Sequence, residues 1–187
     1  GHNALTALTS GEKNTALGYQ AGNVLTTGDE NTLVGYVAGD AITTGNNNIA
    51  VGHNSLGTNI ISDHNVAIGN DALATHNTAT SIDAYNVAVG SGAGASVTTG
   101  TLNTLIGGSA GDALTIGNSN TAVGYNSLTT EVAGDRNVAL GYNALALQTN
   151  ATTVDVYNTA VGYAAGGAVT TGLVNTLVGG LAGDAIT

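Results

Sequence analysis

The amino-acid sequence predicts an all-β protein, a parallel β-solenoid or β-roll built of short stacked coils. An asparagine followed by a short apolar run and a glycine recurs ten times between Asn14 and Asn175, in 17-residue or 21-residue steps. The apolar run is rich in Val, Ile and Thr, which favour strand over helix. Glycine contributes 29 of the 187 residues and proline none. Each repeat is therefore expected to form one coil of two short strands and two turns.

The repeats also follow a longer period. Three 17-residue repeats and one 21-residue repeat make a 72-residue block, and Asp40, Asp112 and Asp184 recur with that period. We expect residues 1–187 to form a single repeat array that is a fragment of a longer chain. A partial coil covers residues 1–13, and further coils begin at residues 14, 31, 48, 65, 86, 103, 120, 137, 158 and 175.

The first strand of each coil directly follows the asparagine, as in Thr15–Leu17. Both of its faces are apolar and uncharged in all ten copies, a pattern typical of strands that are covered on both sides. The face that carries Ala16 and Gly18 is expected to contact neighbouring chains around the axis of a parallel homotrimer. Leucines are expected to fill that axis once every fourth coil: Leu33, Leu105 and Leu177.

A second, weaker strand is expected later in each coil. It is exemplified by Val24–Thr27, Ala41–Thr44 and Ser96–Thr99, whose polar residues suit a strand with one solvated face. Turn residues such as Gly28–Glu30 then lead to the next asparagine.

Two irregularities recur in every block. The extra residues of the long coils, around 76–85 and 148–157, predict a loop that protrudes from an otherwise unchanged coil. Ile60 and Val132 lie one place later than the apolar residue of the neighbouring coils, which predicts a local β-bulge.

Two columns of identical residues are the predicted structural ladders. Asparagine amides at one corner are expected to pair with those of the coils above and below. These are Asn14, Asn31, Asn48, Asn65, Asn86, Asn103, Asn120, Asn137, Asn158 and Asn175. Glycines form the second ladder, where a Cβ would collide or a positive φ is required. These are Gly18, Gly35, Gly52, Gly69, Gly90, Gly107, Gly124, Gly141, Gly162 and Gly179.

Tyrosine follows the ladder glycine in five coils, which predicts a stacked aromatic ladder that stiffens the rod. Contact between exposed rings and carbohydrate is the alternative. The five are Tyr19, Tyr36, Tyr125, Tyr142 and Tyr163. Threonine pairs such as Thr26-Thr27 raise a less favoured ice-binding alternative, because Ile60-Ile61 and Val132-Ala133 interrupt the flat threonine array that such a function needs.

The composition leaves little room for catalysis or nucleic-acid binding. The chain has no cysteine, and a net charge of −10 opposes the phosphate backbone of nucleic acids. We expect no enzyme activity, no catalytic or cofactor-binding residue, no metal site and no cofactor. No apolar run is long enough to insert in a membrane.

The acidic residues and histidines are the candidate metal ligands of this sequence. Calcium is the alternative to solvated turn acids, but it needs several converging oxygens, whereas most coils offer one carboxylate. The acids in question are Asp29, Glu30, Asp40, Asp63 and Asp135. His53, His64 and His76 lack the spacing of paired ligands and are expected to be exposed turn or edge residues.

The repeats resemble a known family. The segments NTALGY, NIAVGH, NVAIGN, NTAVGY and NVALGY, each followed by small residues such as Ala21 and Ala38, are similar to the head repeats of trimeric autotransporter adhesins and to repeats of phage tail fibres. The resemblance covers essentially the whole chain. It implies a left-handed parallel β-roll with three chains side by side, extracellular, on a bacterial cell surface or virion. The adhesin repeats are shorter and lack the 72-residue block.

These patterns favour a structural and adhesive fibre segment whose working principle is rigidity plus repetition. Its expected partners are further copies of itself and a cell-surface glycan or protein receptor. The alternative is a subunit of a homopolymeric extracellular filament, because open coil ends expose strand edges. A third hypothesis, an enzyme-bearing phage spike, would need a catalytic part outside this sequence.

Overall fold

A computed structural model describes residues 1–186, and all regular secondary structure in that range is β-strand. The predicted all-β solenoid is confirmed. The strands are β1 (Thr15–Leu17), β2 (Thr32–Val34), β3 (Ile49–Val51), β4 (Val66–Ile68), β5 (Val87–Val89), β6 (Thr104–Ile106), β7 (Thr121–Val123), β8 (Gly134–Asp135), β9 (Val138–Leu140), β10 (Val154–Asp155), β11 (Thr159–Val161) and β12 (Thr176–Val178).

Ten of these strands form one parallel sheet in chain order, one strand from each coil. Each residue pairs with its equivalent in the next coil, so that Thr15 lies opposite Thr32. The register is unchanged across the 21-residue coils, where Val66 lies opposite Val87. Because each coil rises by one strand spacing of about 4.8 Å, the sheet extends roughly 43 Å along the stack.

The extra residues of the long coils lie outside this sheet. Residues 79–81 and 151–153 are exposed, as predicted for a protruding loop. The second loop returns to the coil through β10, which pairs with β8. In the first block the same place holds a single bridge between Asp63 and Asp83.

The centre residue of each strand points into the coil, where Leu33 and Leu105 are fully buried. The expectation that the face of Ala16 and Gly18 contacts neighbouring chains is therefore wrong, since the remainder of the same coil covers it. The opposite face of the sheet points outward. Leu17 at one end of that face is 63% exposed.

Volume complementarity in the core accounts for the 72-residue block. Leu33 lies between two glycines of the facing wall, the part of the coil opposite the strand. A Cβ on Gly22 or Gly39 would approach the methyl groups of Leu33 to 2.7 Å. In the next two coils the strand centre is alanine, and the facing wall carries the buried residues Leu56 and Leu73. Large and small residues thus alternate between the walls, which keeps the core close-packed.

The predicted second strand is absent from residues 1–186. The amides of both Thr26 and Thr27 donate to the carbonyl oxygen of Thr43, at 2.9 and 3.3 Å. Two amides that converge on one acceptor form a bend, whereas a strand ladder needs alternating donors and acceptors. The segments Val24–Thr27, Ala41–Thr44 and Ser96–Thr99 therefore stack coil on coil as turns.

The predicted bulge at Ile60 and Val132 is wrong as well. The amide of Thr43 donates to the carbonyl oxygen of Ile60 at 2.9 Å, in the ordinary register between successive coils. Ile60 is exposed because the core position before it is taken by a buried polar residue, Asn59. The equivalent residue in the second block is Glu131, also fully buried.

Candidate functional site

The ten ladder asparagines lie in one column, and the eight from Asn31 to Asn158 are fully buried. Oδ1 of Asn48 accepts hydrogen bonds from the backbone nitrogen and from Nδ2 of Asn65, at 3.0 and 3.2 Å. Nδ2 of Asn48 donates to the carbonyl oxygen of Ser62 at 3.0 Å. One side chain thus closes its own coil and fastens the next coil to it.

The asparagine column is weakest where the 21-residue coils intervene. The bond from a backbone amide to the preceding Oδ1 lengthens to 3.4 Å between Asn86 and Asn65 and to 3.3 Å between Asn158 and Asn137. In the second block, Nδ2 of Asn158 donates instead to Oε1 of Gln148, at 2.8 Å. The loop insertions therefore mark the least tightly joined steps of the stack.

The ladder glycines meet both conditions that the sequence suggested. Gly124 has a φ of 135°, a conformation that L side chains rarely adopt. A Cβ on Gly124 would also overlap the carbonyl group of Gly141 in the next coil. These glycines let the chain leave the strand while the coils stay one strand spacing apart.

Exposed aromatic rings form two stacks on the corner that follows the ladder glycines. The first contains His2, Tyr19, Tyr36 and His53, with ring centroids 5.2 to 5.7 Å apart. The second contains Tyr125, Tyr142 and Tyr163, with centroids 5.3 to 5.7 Å apart. Stacking of the five tyrosines is confirmed, but as two stacks separated by three coils, and histidines extend the first of them at both ends.

The turn acids take part in a further column of backbone contacts. Oδ1 of Asp63 accepts the amide of Asn46 at 2.6 Å, and Oδ1 of Asn46 accepts the amide of Asp29 at 2.9 Å. Oδ1 of Asp29 in turn accepts the amide of Glu12 at 2.6 Å. Within residues 1–186 no three acidic or histidine side chains are grouped to hold a metal ion.

The other proposed calcium acids are also dispersed. Asp135 repeats the role of Asp63, because its Oδ1 accepts the amide of Asn118 at 2.6 Å. Glu30 pairs with Lys13 at 2.7 Å. Partial burial raises the pKa of Asp40 above its usual value, against the effect of backbone hydrogen bonds from Asp40 and Ala41.

Hydroxyl groups of the threonine pairs form hydrogen bonds between successive coils. Oγ1 of Thr26 donates to the carbonyl oxygen of Thr43 at 3.0 Å, and Oγ1 of Thr98 donates to that of Thr115 at 3.1 Å. The first threonine of each pair thus satisfies a backbone acceptor of the next coil, while the second, such as Thr27 or Thr99, is exposed.

A buried polar pair interrupts the apolar core in each block, and sequence reasoning missed both pairs. In the second block the Oε2 atom of Glu131 accepts hydrogen bonds from Gln148 at 2.7 Å and from the side chain of Asn150 at 2.9 Å. Its Oε1 atom accepts four backbone amides, those of Val132, Ala133, Gly134 and Asn150. Burial opposes ionisation, but these donors outweigh it and hold the pKa of Glu131 below its usual value.

The equivalent pair in the first block is Asn59 and His76. Among residues 1–186 the side chain of Asn59 bonds only with Ser62, whose hydroxyl donates to Oδ1 of Asn59 at 2.6 Å. His76 is fully buried, so its assignment as an exposed residue is wrong. Neither ring nitrogen has a hydrogen-bond partner within residues 1–186. Burial lowers the pKa of His76 to about 4, only weakly opposed by the backbone of Thr98.

The other two histidines are at least partly exposed, as expected, and one of them clamps a loop. Nδ1 of His64 lies 3.0 Å from Oδ1 of Asp83, and the hydroxyl of Tyr85 donates to the same carboxylate at 3.4 Å. The second block repeats this arrangement with an ion pair between Arg136 and Asp155. This clamp explains why the Asp83 and Tyr85 pair recurs at the same place in the next block.

Aligning the coils on the ladder asparagines would have revealed the buried pairs. In that alignment Asn59, His76, Glu131 and Gln148 fall in the column of Leu25 and Ile42. The signal is a polar residue at an apolar core position, repeated at the same place in both blocks.

No protein-family model, curated protein or solved structure matches this chain. Among residues 1–186, none forms a helix with the length and apolar character needed to cross a membrane. The repeating features of the surface are the outward face of the ten-stranded sheet and the corner with the aromatic stacks.

Proposed function

We propose that the chain is a segment of a structural and adhesive fibre, outside the cell on a bacterial surface or virion, with no enzymatic role. The observation that carries the proposal is the continuous stack of coils. Asparagine amides, backbone ladders and core side chains all join one coil to the next. Such a stack gains length by adding repeats, without a new core. Rigidity along one axis is the property that a spacer between an anchor and a receptor requires.

The proposed working unit is a parallel homotrimer. The outward face of the ten-stranded sheet presents two columns of Thr, Val, Ile and Leu, among them Ile49, Ile68 and Ile106, which are each more than a third exposed. A parallel sheet is normally covered on both faces. Identical chains related by a three-fold axis would cover this face along its whole length. The contact face is thus the side of Thr15 and Leu17, opposite to the side first expected.

Sedimentation of the chain tests this assembly. We expect a mass of three chains of 18.1 kDa each, and dissociation when Val89 at the middle of the outward face becomes lysine, because the trimer interface would then bury an unpaired charge. Thr80→Lys on the protruding loop is the matched control and should leave the trimer intact. A folded monomer with this face exposed would refute the trimer.

A homopolymeric filament is the second candidate. Within residues 1–186, β1 and β12 are the outer strands of the ten-stranded sheet, and an outer strand can pair with a strand of another copy. Electron microscopy separates the two candidates, because a fibre segment gives rods of one length whereas a filament exceeds the length of one chain.

A further inference from the structure

The corner that carries the aromatic stacks is interrupted by three coils with small side chains. Asn70, Ser91 and Gly108 occupy the position that holds a ring in the coils on either side. Because His53 and Tyr125 are four coils apart, about 19 Å of the corner separates them at the ordinary strand spacing. We call the space between these two residues the notch.

The ring of Tyr125 presents an open face to the notch. Its other face is stacked on Tyr142, with centroids 5.7 Å apart and an angle of 18° between the planes. On the notch side, a Cβ on Gly108 would lie 3.2 Å from Cδ2 and 3.6 Å from Cε2 of Tyr125, so only a glycine faces the ring there. Tyr125 is 55% exposed. By contrast, Tyr19 and Tyr36 inside the first stack have rings on both sides.

Polar groups line the remainder of the notch. Nδ2 of Asn70 donates to Oδ2 of Asp71 at 2.6 Å, and Nδ2 of Asn54 donates to Oδ1 of the same carboxylate at 2.8 Å. Ser91, halfway along, is exposed. The notch therefore combines a flat apolar platform with an amide, a carboxylate and a hydroxyl.

We propose that the notch binds a neutral saccharide, with one pyranose ring stacked on the open face of Tyr125. The C–H face of a pyranose covers an aromatic ring, and further sugar units linked along the notch would bring their hydroxyl groups to Ser91, two coils from Tyr125, and to Asn70 and Asp71, three coils from it. The carboxylate of Asp71 and the net charge of −10 disfavour acidic sugars. This inference names the receptor class for the proposed adhesive function and rests on that proposal.

The notch is not a requirement of the fold. Ser91 and Gly108 occupy, one block later, the positions of Tyr19 and Tyr36, so the other block carries rings at the equivalent positions of the same coils. Core positions such as Leu33 and Leu105 are identical between blocks. The small side chains of the notch therefore depart from the repeat at a surface position where the solenoid accepts tyrosine.

This difference between the blocks provides a variant that fills the notch. In Gly108→Tyr the new ring takes the place of the saccharide on Tyr125, while the coil acquires the residue that its counterpart already holds. Tyr125→Leu removes the platform. Tyr19→Leu is the control, because that ring is enclosed within the other stack.

Saturation-transfer NMR on the full chain is the test, with the methyl glycosides of glucose, galactose and N-acetylglucosamine as neutral probes and N-acetylneuraminic acid as the acidic probe. We expect at least one neutral glycoside to bind at concentrations up to about 10 mM, the range of a weak single-ring contact. Gly108→Tyr and Tyr125→Leu should each weaken binding at least about tenfold, and Tyr19→Leu less than about twofold. Thermal melts establish that each variant is folded.

Three results would overturn the inference: no neutral glycoside binds, Gly108→Tyr binds as well as the wild type, or the acidic probe binds more tightly than the neutral ones. Binding of an aromatic peptide in place of a sugar would also overturn it and would assign the platform to a protein receptor. Failure of the proposed fibre function can be distinguished from failure of the saccharide proposal, because rod shape and trimer mass are measured in the absence of sugar. A monomer that still binds glycoside at Tyr125 would retain the notch and refute the trimer.

Discussion

Nε2 of Gln148 donates a 2.7 Å hydrogen bond to Oε2 of Glu131, and both residues are fully buried in a core that is otherwise almost wholly aliphatic. The two side chains come from consecutive coils, so their bond runs along the axis of the stack. A buried carboxylate is tolerated only when its oxygens are hydrogen-bonded. Here six donors surround it, and the pair joins the coil that carries the loop insertion to the coil before it.

Removing this carboxylate should destabilise the second block strongly. Glu131→Ala leaves six donors without their acceptor, and we expect the free energy of unfolding to fall by about 3 kcal/mol or more. Glu131→Gln keeps one acceptor oxygen and should cost less than the alanine variant. Urea unfolding followed by circular dichroism measures both. Glu30→Ala, which removes an exposed ion pair with Lys13, is the control and should change stability by less than about 1 kcal/mol.

Much of the fold could be predicted because identical residues recur at identical backbone positions. The 17-residue spacing of asparagine and glycine determined the coil, the parallel sheet and its register. The interior face of the strand could not be chosen by polarity, because Ala16 and Thr15 are both compatible with burial. The deciding contact lies between Leu33 and the glycines of the facing wall, a volume match that the spacing of apolar residues does not show.

The buried polar residues were missed for a different reason. His76 was assigned to the surface by its chemical type, which is mostly found there, and Glu131 was not singled out. Their burial follows from position in the coil, because the equivalent residues of the preceding coils are Leu114 and Asn59, both in the core column. The aromatic stacks were predictable from spacing alone. The open face of Tyr125, by contrast, depends on the absence of a side chain at Gly108 in the preceding coil.

The glycine ladder gives a prediction about backbone strain and packing. Gly124→Ala introduces a Cβ at a φ of 135° and against the carbonyl group of Gly141. We expect a loss of about 3 kcal/mol or more in the free energy of unfolding. Gly108→Ala in the preceding coil is the matched control. Its backbone is not left-handed, and its new Cβ meets the movable ring of Tyr125 at 3.2 Å and the carbonyl oxygen of Ser91 only at an ordinary contact distance of 3.9 Å. Equal melting temperatures for the two variants would contradict the ladder.

A residue under backbone strain offers a stabilising change. Val37 has a φ of 49°, a conformation that is unfavourable for a β-branched side chain. The same position of the coil holds Asn54 in the next coil and Asn126 in the coil that begins at residue 120, with the same left-handed backbone. Val37→Asn should therefore raise the free energy of unfolding by about 1 kcal/mol. The reverse change, Asn126→Val, should lower it, and a lower melting temperature for Val37→Asn would contradict the assignment of strain.

The two buried pairs predict that the blocks differ in their response to acid. Burial lowers the pKa of His76 from 6.5 to about 4, so between these values the unfolded chain binds a proton that the folded chain does not. Above pH 6.5 the ionisation of His76 does not reduce the free energy of unfolding. As the pH falls from 6.5 toward 4, the free energy of unfolding decreases by about 3 kcal/mol in all. The pKa of Glu131 is also lowered, from 4.5, so the contribution of its carboxylate persists until the pH falls below that value.

Hydrogen exchange at the two buried pairs measures this difference in acid response. We expect the amides around His76 to lose protection at pH 5 while those around Glu131 keep theirs. His76→Gln, which installs the residue found at the equivalent position 148, should remove the difference between pH 7 and pH 5, because glutamine does not titrate. If both blocks lost protection equally at pH 5, or if the variant remained as acid-sensitive as the wild type, the neutral buried histidine would not be the cause.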